Sequence, residues 1–174
     1  MNENNVNQNL AVINFIKSIY NNNKFIPLHE PRFLGNEKKY LNHCIDSNFV
    51  SSVGEFVDTF ESKIAEYTGS KYAVAVSNGT AALHLNALAL DLKPADKVIT
   101  TPITFVASAN CVRYCGADVI FSDIDPETFL IDINSVKKLL EEDINNEIKG
   151  IIPVNFAGRV VDMEALRDLA NKHN

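Results

Sequence analysis

The chain has 174 residues, 46% of them hydrophobic, which is enough to bury one core of the size found in an α/β domain. Its net charge is -6 with a pI near 5.2, and its sixteen Lys and Arg are scattered along the chain. This pattern argues against a protein that binds nucleic acid or an anionic membrane.

The cysteines and the first residues of the chain argue against further classes of protein. Cys44, Cys111 and Cys115 are an odd number without C-x-x-C spacing, which argues against a disulfide framework and against a structural metal site. The start MNENNVNQN lacks the basic and then apolar pattern of a signal peptide, and no stretch is apolar for long enough to span a bilayer. We therefore predict a cytoplasmic protein.

The first third of the chain is predicted to be helical. Apolar residues recur at helical spacing over residues 10–20, about 36–47 and about 55–68. The loop FVSSVG joins the second and third of these helices, and Gly69 is the expected cap at the end of the third. We treat residues 1–69 as one helical segment.

Strand and helix alternate from residue 70 onward, beginning with a stretch around which the rest is organised. Residues 72–76, YAVAV, are apolar throughout and predict a strand buried on both faces of a sheet. Residues 77–80, SNGT, are turn and N-cap types, and 81–90 are nearly all strong helix formers. The local plan is strand, tight turn and helix.

This turn is a candidate phosphate site. The first N–H groups of a helix have no partner within it and lie at the positive end of its dipole, so Asn78, Gly79 and Thr80 are placed to bind an anion. A capped turn without any ligand explains the same residues, because such turns recur in every doubly wound fold.

The remaining elements predict a mostly parallel sheet with helices on both faces, over residues 70–174. Ligands of such sheets gather at the carboxyl ends of the strands, so the candidate site segments are 78–80, 101–105, 123–125 and 155–159. No G-x-G-x-x-G and no P-loop motif occurs, which argues against a dinucleotide site. Strands are expected at 97–101, 118–122 and 148–154, and helices at 105–115, 134–142 and 162–172.

Several motifs in one order carry a specific resemblance. They are FVSSVGEFVDTFE, SNGTAALHLNAL, DKVITTPITFVASANCVRYCGADVIFSDIDPETFLID and IIPVNFAGRVVDMEALRDLANKHN. Together they resemble the DegT/DnrJ/StrS group of aminotransferases that act on nucleotide-linked sugars. The resemblance implies the N-terminal part of the large domain of a fold type I enzyme, with pyridoxal 5'-phosphate as cofactor. It also implies glutamate as amino donor, a nucleotide-linked 4-keto-6-deoxy sugar as substrate, and a homodimer.

Within that group, FIPLHEPRFLGNEKKYLNHCIDSNFVSSVG looks closest to members that aminate a UDP-linked sugar on the way to legionaminic-acid-type sugars. The resemblance places the loop residues at the sugar pocket. From the local residues alone, two helices are simply joined by a small-residue turn. The residues concerned are Phe49, Ser51, Ser52, Val53 and Gly54.

Two further residues are predicted to contact the cofactor. Phe105 follows the second predicted strand and is placed to stack on the pyridine ring, although a core Phe is an alternative. Asn155 is placed to donate to the phenolic oxygen, although an Asn that bonds its own turn is an alternative. Phe49 stands where many relatives carry Trp, and Asn155 where many carry His.

The resemblance also implies that the Schiff-base lysine and the aspartate that pairs with the pyridine nitrogen lie beyond residue 174. The chain alone is therefore expected to be inactive. A pyridoxal phosphate-dependent sugar dehydratase of the same family, or a non-catalytic truncated fragment, remain alternatives.

Overall fold

A computed structural model describes residues 3–21, 25–27 and 30–173. The chain forms two compact units, Met1–Thr59 and Phe60–Asn174, and each is described by itself. The boundary between them lies inside the third helix, whereas the division predicted from the sequence follows that helix.

Three helices make up the amino-terminal third: α1 (Glu3–Tyr20), α2 (Glu37–Asp46) and α3 (Glu55–Thr68). The second and third confirm the predicted elements. Helix α1 begins before the predicted start at residue 10, because a helix that has nucleated extends at a cost of only ~0.6 kcal/mol for each Asn relative to Ala. Gly69 ends α3 at a φ of 69°, and the N–H of Ser70 donates to the carbonyl of Ala65 at 3.0 Å, which confirms the glycine cap.

The prediction of a buried strand over residues 72–76 is wrong. This segment is irregular, and Tyr72 and Val74 are 74% and 77% exposed. The N–H of Ala75 donates to the Glu61 carboxylate at 2.7 Å instead of to a neighbouring strand. An apolar run supplies the side chains of a buried strand, but a strand also needs a partner for its backbone, and none lies beside it among the described residues.

The parallel sheet is confirmed. Its three strands are β1 (Lys97–Thr100), β2 (Asp118–Phe121) and β3 (Ile148–Ile152), in the order β2-β1-β3 with both pairings parallel. The helices of this unit are α4 (Gly79–Ala89), α5 (Ala107–Tyr114), α6 (Ile133–Glu142) and α7 (Met163–His173). None of the described helices combines the length and the apolar character needed to cross a bilayer.

Two cores, one on each face of the sheet, confirm helices on both faces. Val98 and Ile99 are adjacent in β1, and they point to opposite faces because side chains alternate along a strand. Val98 packs with residues of α4 and α5, and Ile99 with residues of α6 and α7. Burial of each of these side chains contributes roughly 2 kcal/mol. The Val98 core also contains Ala87, Leu92, Cys111, Val112 and Ala117, and the Ile99 core also contains Ile131, Val136, Leu140, Val161, Leu166 and Leu169.

The strand register aligns the carboxyl ends of the strands. At the start of β1, Lys97 pairs with Ile148 but Val98 pairs with Gly150, so Lys149 is an extra residue in β3. From there the pairing is regular, and Thr100 at the end of β1 pairs with Phe121 of β2 and Ile152 of β3. The loops that follow the three strands therefore leave from one edge of the sheet.

Candidate functional site

Asn78 caps helix α4 with its own side chain. Its backbone is extended, and its Oδ1 accepts from the N–H of Ala81 at 2.9 Å. Its Nδ2 donates to the Ser77 hydroxyl at 3.3 Å. The cap satisfies one of the unpaired donors at the helix start, and in the described part of the chain no acceptor takes up the N–H groups of Gly79 and Thr80.

The space around this turn is open. A Cβ added at Gly79 would meet no atom within 4 Å beyond the adjacent residues and the helix backbone, so this side of the turn is open. The helix dipole adds positive potential at the same point. Residues 78–80 therefore form a small exposed surface whose donors suit an anion.

The loop after β1 places Phe105 in solvent. Thr101 is buried and its Oγ1 accepts from the N–H of Ile103 at 3.3 Å, while the hydroxyls of Thr104 and Ser108 lie 2.8 Å apart. These bonds hold the loop against the start of α5. The ring of Phe105 is 75% exposed and so is not part of either core.

The loop after β3 fixes one end of the Asn155 amide. Its Oδ1 accepts from the N–H of Val161 at 2.9 Å, six residues further on. Between them the chain turns through Ala157 and Gly158, at φ values of 50° and 78°. The Nδ2 of Asn155 has no acceptor among the described residues, so this exposed amide can donate to a ligand.

Arg159 connects this loop to the loop after β2. Its Nη1 donates to the carbonyls of Glu127 and Thr128, both at 2.8 Å. The rings of Phe129 and Phe156, one from each loop, lie 6.4 Å apart. Position alone predicts segment 155–159 as part of a site, but nothing in the spacing of residues pairs an arginine with distant carbonyls, so the sequence does not predict this bond.

The turn that accepts from Arg159 is organised by Asp125. Its carboxylate accepts from the N–H of Thr128 at 2.7 Å, the Thr128 hydroxyl at 2.9 Å and the N–H of Glu127 at 3.0 Å. These bonds, those from Thr128 above all, hold the pKa of Asp125 below its ordinary value.

The predicted cofactor residues lie on or next to elements that contact one another. Phe105 and Asn155 follow β1 and β3, which are neighbours, so both leave from the same edge of the sheet. Helix α4, which begins with Gly79 and Thr80, packs against α5, the helix that follows Phe105.

The predicted substrate loop belongs to the unit Met1–Thr59. The Ser51 hydroxyl accepts from the N–H of Val53 and donates to its carbonyl, both at 3.2 Å. Gly54 has a φ of 148°, which L side chains rarely adopt. A cavity of about 300 Å³ lies beside this loop, and its lining includes Phe49, Ser51, Val53, Gly54, His43 and Phe56.

Comparison with known proteins gives one family. The DegT/DnrJ/EryC1/StrS aminotransferase family matches residues 33–174. GDP-perosamine synthase of Vibrio cholerae is 43% identical over 148 residues, which are 85% of this chain and 39% of that protein. The chain thus spans about two fifths of this relative's length.

Solved structures agree with the fold. An aminotransferase from Psychrobacter cryohalolentis has a TM-score of 0.77 at 38% identity, over 87% of this chain and 37% of that one. The PLP form of Spr1654 from Streptococcus pneumoniae has a TM-score of 0.75 at 28% identity, over 86% and 37%. The predictions of a fold type I architecture and of pyridoxal phosphate as the cofactor of the family are confirmed.

Proposed function

Because this chain belongs to the DegT/DnrJ/EryC1/StrS aminotransferase family, we propose that it forms the part of a sugar aminotransferase that holds the phosphate and ring of pyridoxal phosphate. The observation that carries the proposal is the pair of free N–H groups at Gly79 and Thr80, beneath open space. When bound, this cofactor supplies an electron sink to the carbon that gives or receives the amino group.

The first turn of α4 fits a phosphate in three respects. Two backbone N–H groups and the Thr80 hydroxyl are available as donors, the helix dipole favours negative charge, and no side chain occupies the space above Gly79. The Asn78 Oδ1 accepts from the N–H of Ala81, which completes the cap and leaves the N–H groups of Gly79 and Thr80 for the ligand. Each hydrogen bond to a charged phosphate contributes roughly 1.5–3 kcal/mol.

Phe105 and Asn155 would hold the ring. The exposed Phe105 ring offers a face for offset stacking, worth ~1 kcal/mol beyond burial. The Asn155 Nδ2 would donate to the ring oxygen of the cofactor, which favours the ionised oxygen and lowers its pKa. The bond from Val161 to Oδ1 supports this role, because it directs the amide with its N–H groups free.

The catalytic lysine is proposed to lie outside these residues. Lys97 and Lys149 sit at the amino ends of β1 and β3, opposite the candidate site, where they contact Glu147 and the Asn146 carbonyl. Lys137 and Lys138 lie on the polar face of α6 beside glutamates one turn away. These contacts support solvated roles.

The substrate side is proposed to involve the loop residues Phe49, Ser51, Ser52, Val53 and Gly54. Its aromatic, apolar and hydroxyl groups suit a sugar ring, and loops on a rigid scaffold commonly carry binding residues. We propose a nucleotide-linked keto sugar as the substrate and glutamate as the donor. The name of the Vibrio cholerae relative favours a GDP-linked sugar, while the predicted UDP-linked sugar of a legionaminic-acid pathway stays a prediction.

The homodimer and the cytoplasmic location also stay predictions.

A sugar dehydratase of the same family is the alternative enzyme, and the residue at the catalytic lysine position decides between an aminotransferase and a dehydratase. Reading the encoding frame past Asn174 for an aspartate-bearing strand and a lysine segment tests this directly.

The binding proposal is tested on the purified chain with pyridoxine 5'-phosphate, which keeps the phosphate and ring oxygen of the cofactor but has no aldehyde. Binding by the wild-type chain, together with loss of binding in Gly79→Val, would support the phosphate site.

In a second experiment, the chain is mixed with pyridoxal phosphate and reduced with borohydride, and labelled lysines are mapped by mass. A single stoichiometric label together with amino transfer from glutamate would show that the catalytic lysine is among these residues. It would overturn the proposal that this lysine lies outside them.

A further inference from the structure

One side chain, Arg159, joins the two loops that flank the end of β1. Since β1 lies between β2 and β3, the loops that follow those outer strands leave on either side of it. Arg159 reaches from the second loop to the carbonyls of Glu127 and Thr128 in the first, at 2.8 Å each. A guanidinium is planar and its donors have fixed directions, so two bonds restrict its orientation more than one would.

The accepting turn is held from within. The Asp125 carboxylate accepts from the N–H of Thr128, and the Asp125 backbone carbonyl accepts from the N–H of Phe129 at 2.8 Å, which fixes the two peptide units whose carbonyls face Arg159. Phe129 follows at a φ of 61°, and its ring approaches Phe156 of the other loop. The anchor of Arg159 is therefore an ordered turn.

The donating loop carries Asn155 and includes a residue in the left-handed region of backbone conformation. Ala157 has a φ of 50°, a conformation that costs about 1–3 kcal/mol for a residue other than glycine and persists only where contacts enforce it. Within the loop, the N–H of Arg159 donates to the carbonyl of Phe156 at 3.0 Å and the N–H of Val161 donates to Asn155, and the Arg159 guanidinium adds two bonds to the other loop. Loss of the guanidinium bonds leaves the loop with its two internal hydrogen bonds and, among the described residues, no hydrogen bond to the turn 125–129.

We propose that Arg159 is a positioning residue, which anchors the loop 155–161 to the turn 125–129 and so fixes the direction in which the Asn155 amide donates. The inference rests on the proposed function, in which Asn155 contacts the ring oxygen of the cofactor. Arg159 itself acts through Asn155 and holds no part of the ligand.

The first test needs no cofactor. Hydrogen exchange of the Val161 amide reports whether the loop is closed. Arg159→Ala should speed this exchange about tenfold, because two hydrogen bonds that hold the loop are lost. Arg159→Lys should give a smaller increase, since an ammonium keeps the charge but not the paired geometry.

The matched control is Arg167→Ala, which removes an exposed arginine of α7 outside both loops. It should leave Val161 exchange unchanged. If Arg159→Ala speeds exchange at every amide, the variant is unfolded and Arg159→Lys decides the question. Unchanged Val161 exchange in a folded Arg159→Ala chain would overturn the proposal.

The second test separates positioning from direct binding, with pyridoxine 5'-phosphate and inorganic phosphate as probes. Asn155→Ala and Arg159→Ala should each weaken pyridoxine 5'-phosphate binding by about fivefold to tenfold, the loss of one hydrogen bond. The double variant should lose no more than either alone, because both remove the same interaction. Affinity for inorganic phosphate should not change.

Other outcomes distinguish the two proposals. Additive losses, or a loss of inorganic phosphate affinity with unchanged Val161 exchange, would mean that Arg159 binds the anion itself and would overturn the positioning role alone. A wild-type chain with no affinity for either probe would overturn the proposed function and the positioning role together.

Discussion

The hydroxyl of Thr100 donates to the carbonyl of Ile152 at 3.0 Å, which joins the carboxyl ends of β1 and β3 through a side chain as well as through the backbone. Thr100 is fully buried, and the two loops of the candidate site begin one residue after this bond. The bond therefore adds to the backbone pairing that aligns the loops of Phe105 and Asn155.

Thr100→Val should destabilise the chain by about 1–2 kcal/mol, since it leaves the shape nearly unchanged but removes a buried hydrogen bond. Denaturant unfolding measures this. Thr100→Ser is the matched control, because it keeps the hydroxyl and loses only a methyl group. If the valine variant is as stable as wild type, the bond does not hold the strand ends together.

Gly79→Val should separate folding from binding. The added side chain enters open space and the backbone at Gly79 is not strained, so the unfolding free energy should change by less than about 1 kcal/mol. Affinity for inorganic phosphate should fall at least about tenfold, because the side chain blocks two N–H donors. Isothermal titration measures the affinity. The control is Gly69→Val, which lies away from α4. Gly69 also has open space around it, although its φ is 69°.

Phe105→Leu should weaken pyridoxine 5'-phosphate binding by about fivefold, the loss of ~1 kcal/mol of stacking. Its effect on unfolding should be small, since the ring is 75% exposed. Fluorescence or absorbance titration of the ligand checks the first expectation. An unchanged dissociation constant together with a clear loss of stability would assign Phe105 to packing.

The turn at Asp125 should lose its order only in acid. The pKa of Asp125 lies below its ordinary value of 3.8, so the bonds of its carboxylate stabilise the turn above that value and are lost as the pH falls through the lowered pKa. The amide shift of Thr128, followed against pH, measures this. Asp125→Asn should remove the transition, whereas Asp162→Asn, which changes the cap of α7, should leave it in place. A midpoint at or above 3.8 contradicts the expectation.

Patterns in the local sequence predicted the helices and strands whose formation depends on interactions between residues close in the chain. The helices of the first third, the three strands and the helices between them follow from apolar periodicity and from residue types that cap helices. Asn78 and Asp162 are two such residues, and their side chains accept N–H bonds from the first turns of α4 and α7. The edge at which Phe105 and Asn155 leave the sheet follows from the parallel order alone.

Relations between distant segments were not predictable in the same way. The run YAVAV has the composition of a buried strand, but whether it pairs depends on a neighbour that composition does not name. The bond from the Ala75 N–H to the Glu61 carboxylate and the bonds from Arg159 to Glu127 and Thr128 join residues far apart in sequence. A single sequence contains no signal for such pairs.

The extra residue at Lys149 makes the two ends of β3 tolerate changes in length differently. Deleting Lys149 would turn the bulge into regular pairing and leave Ile152 opposite Thr100. Deleting Ile151 would shift the following residues by one position and turn each of them to the opposite face, so that Asn155 would leave the sheet in another direction. Deletion of one residue should therefore be accepted at Lys149 and rejected beyond Gly150.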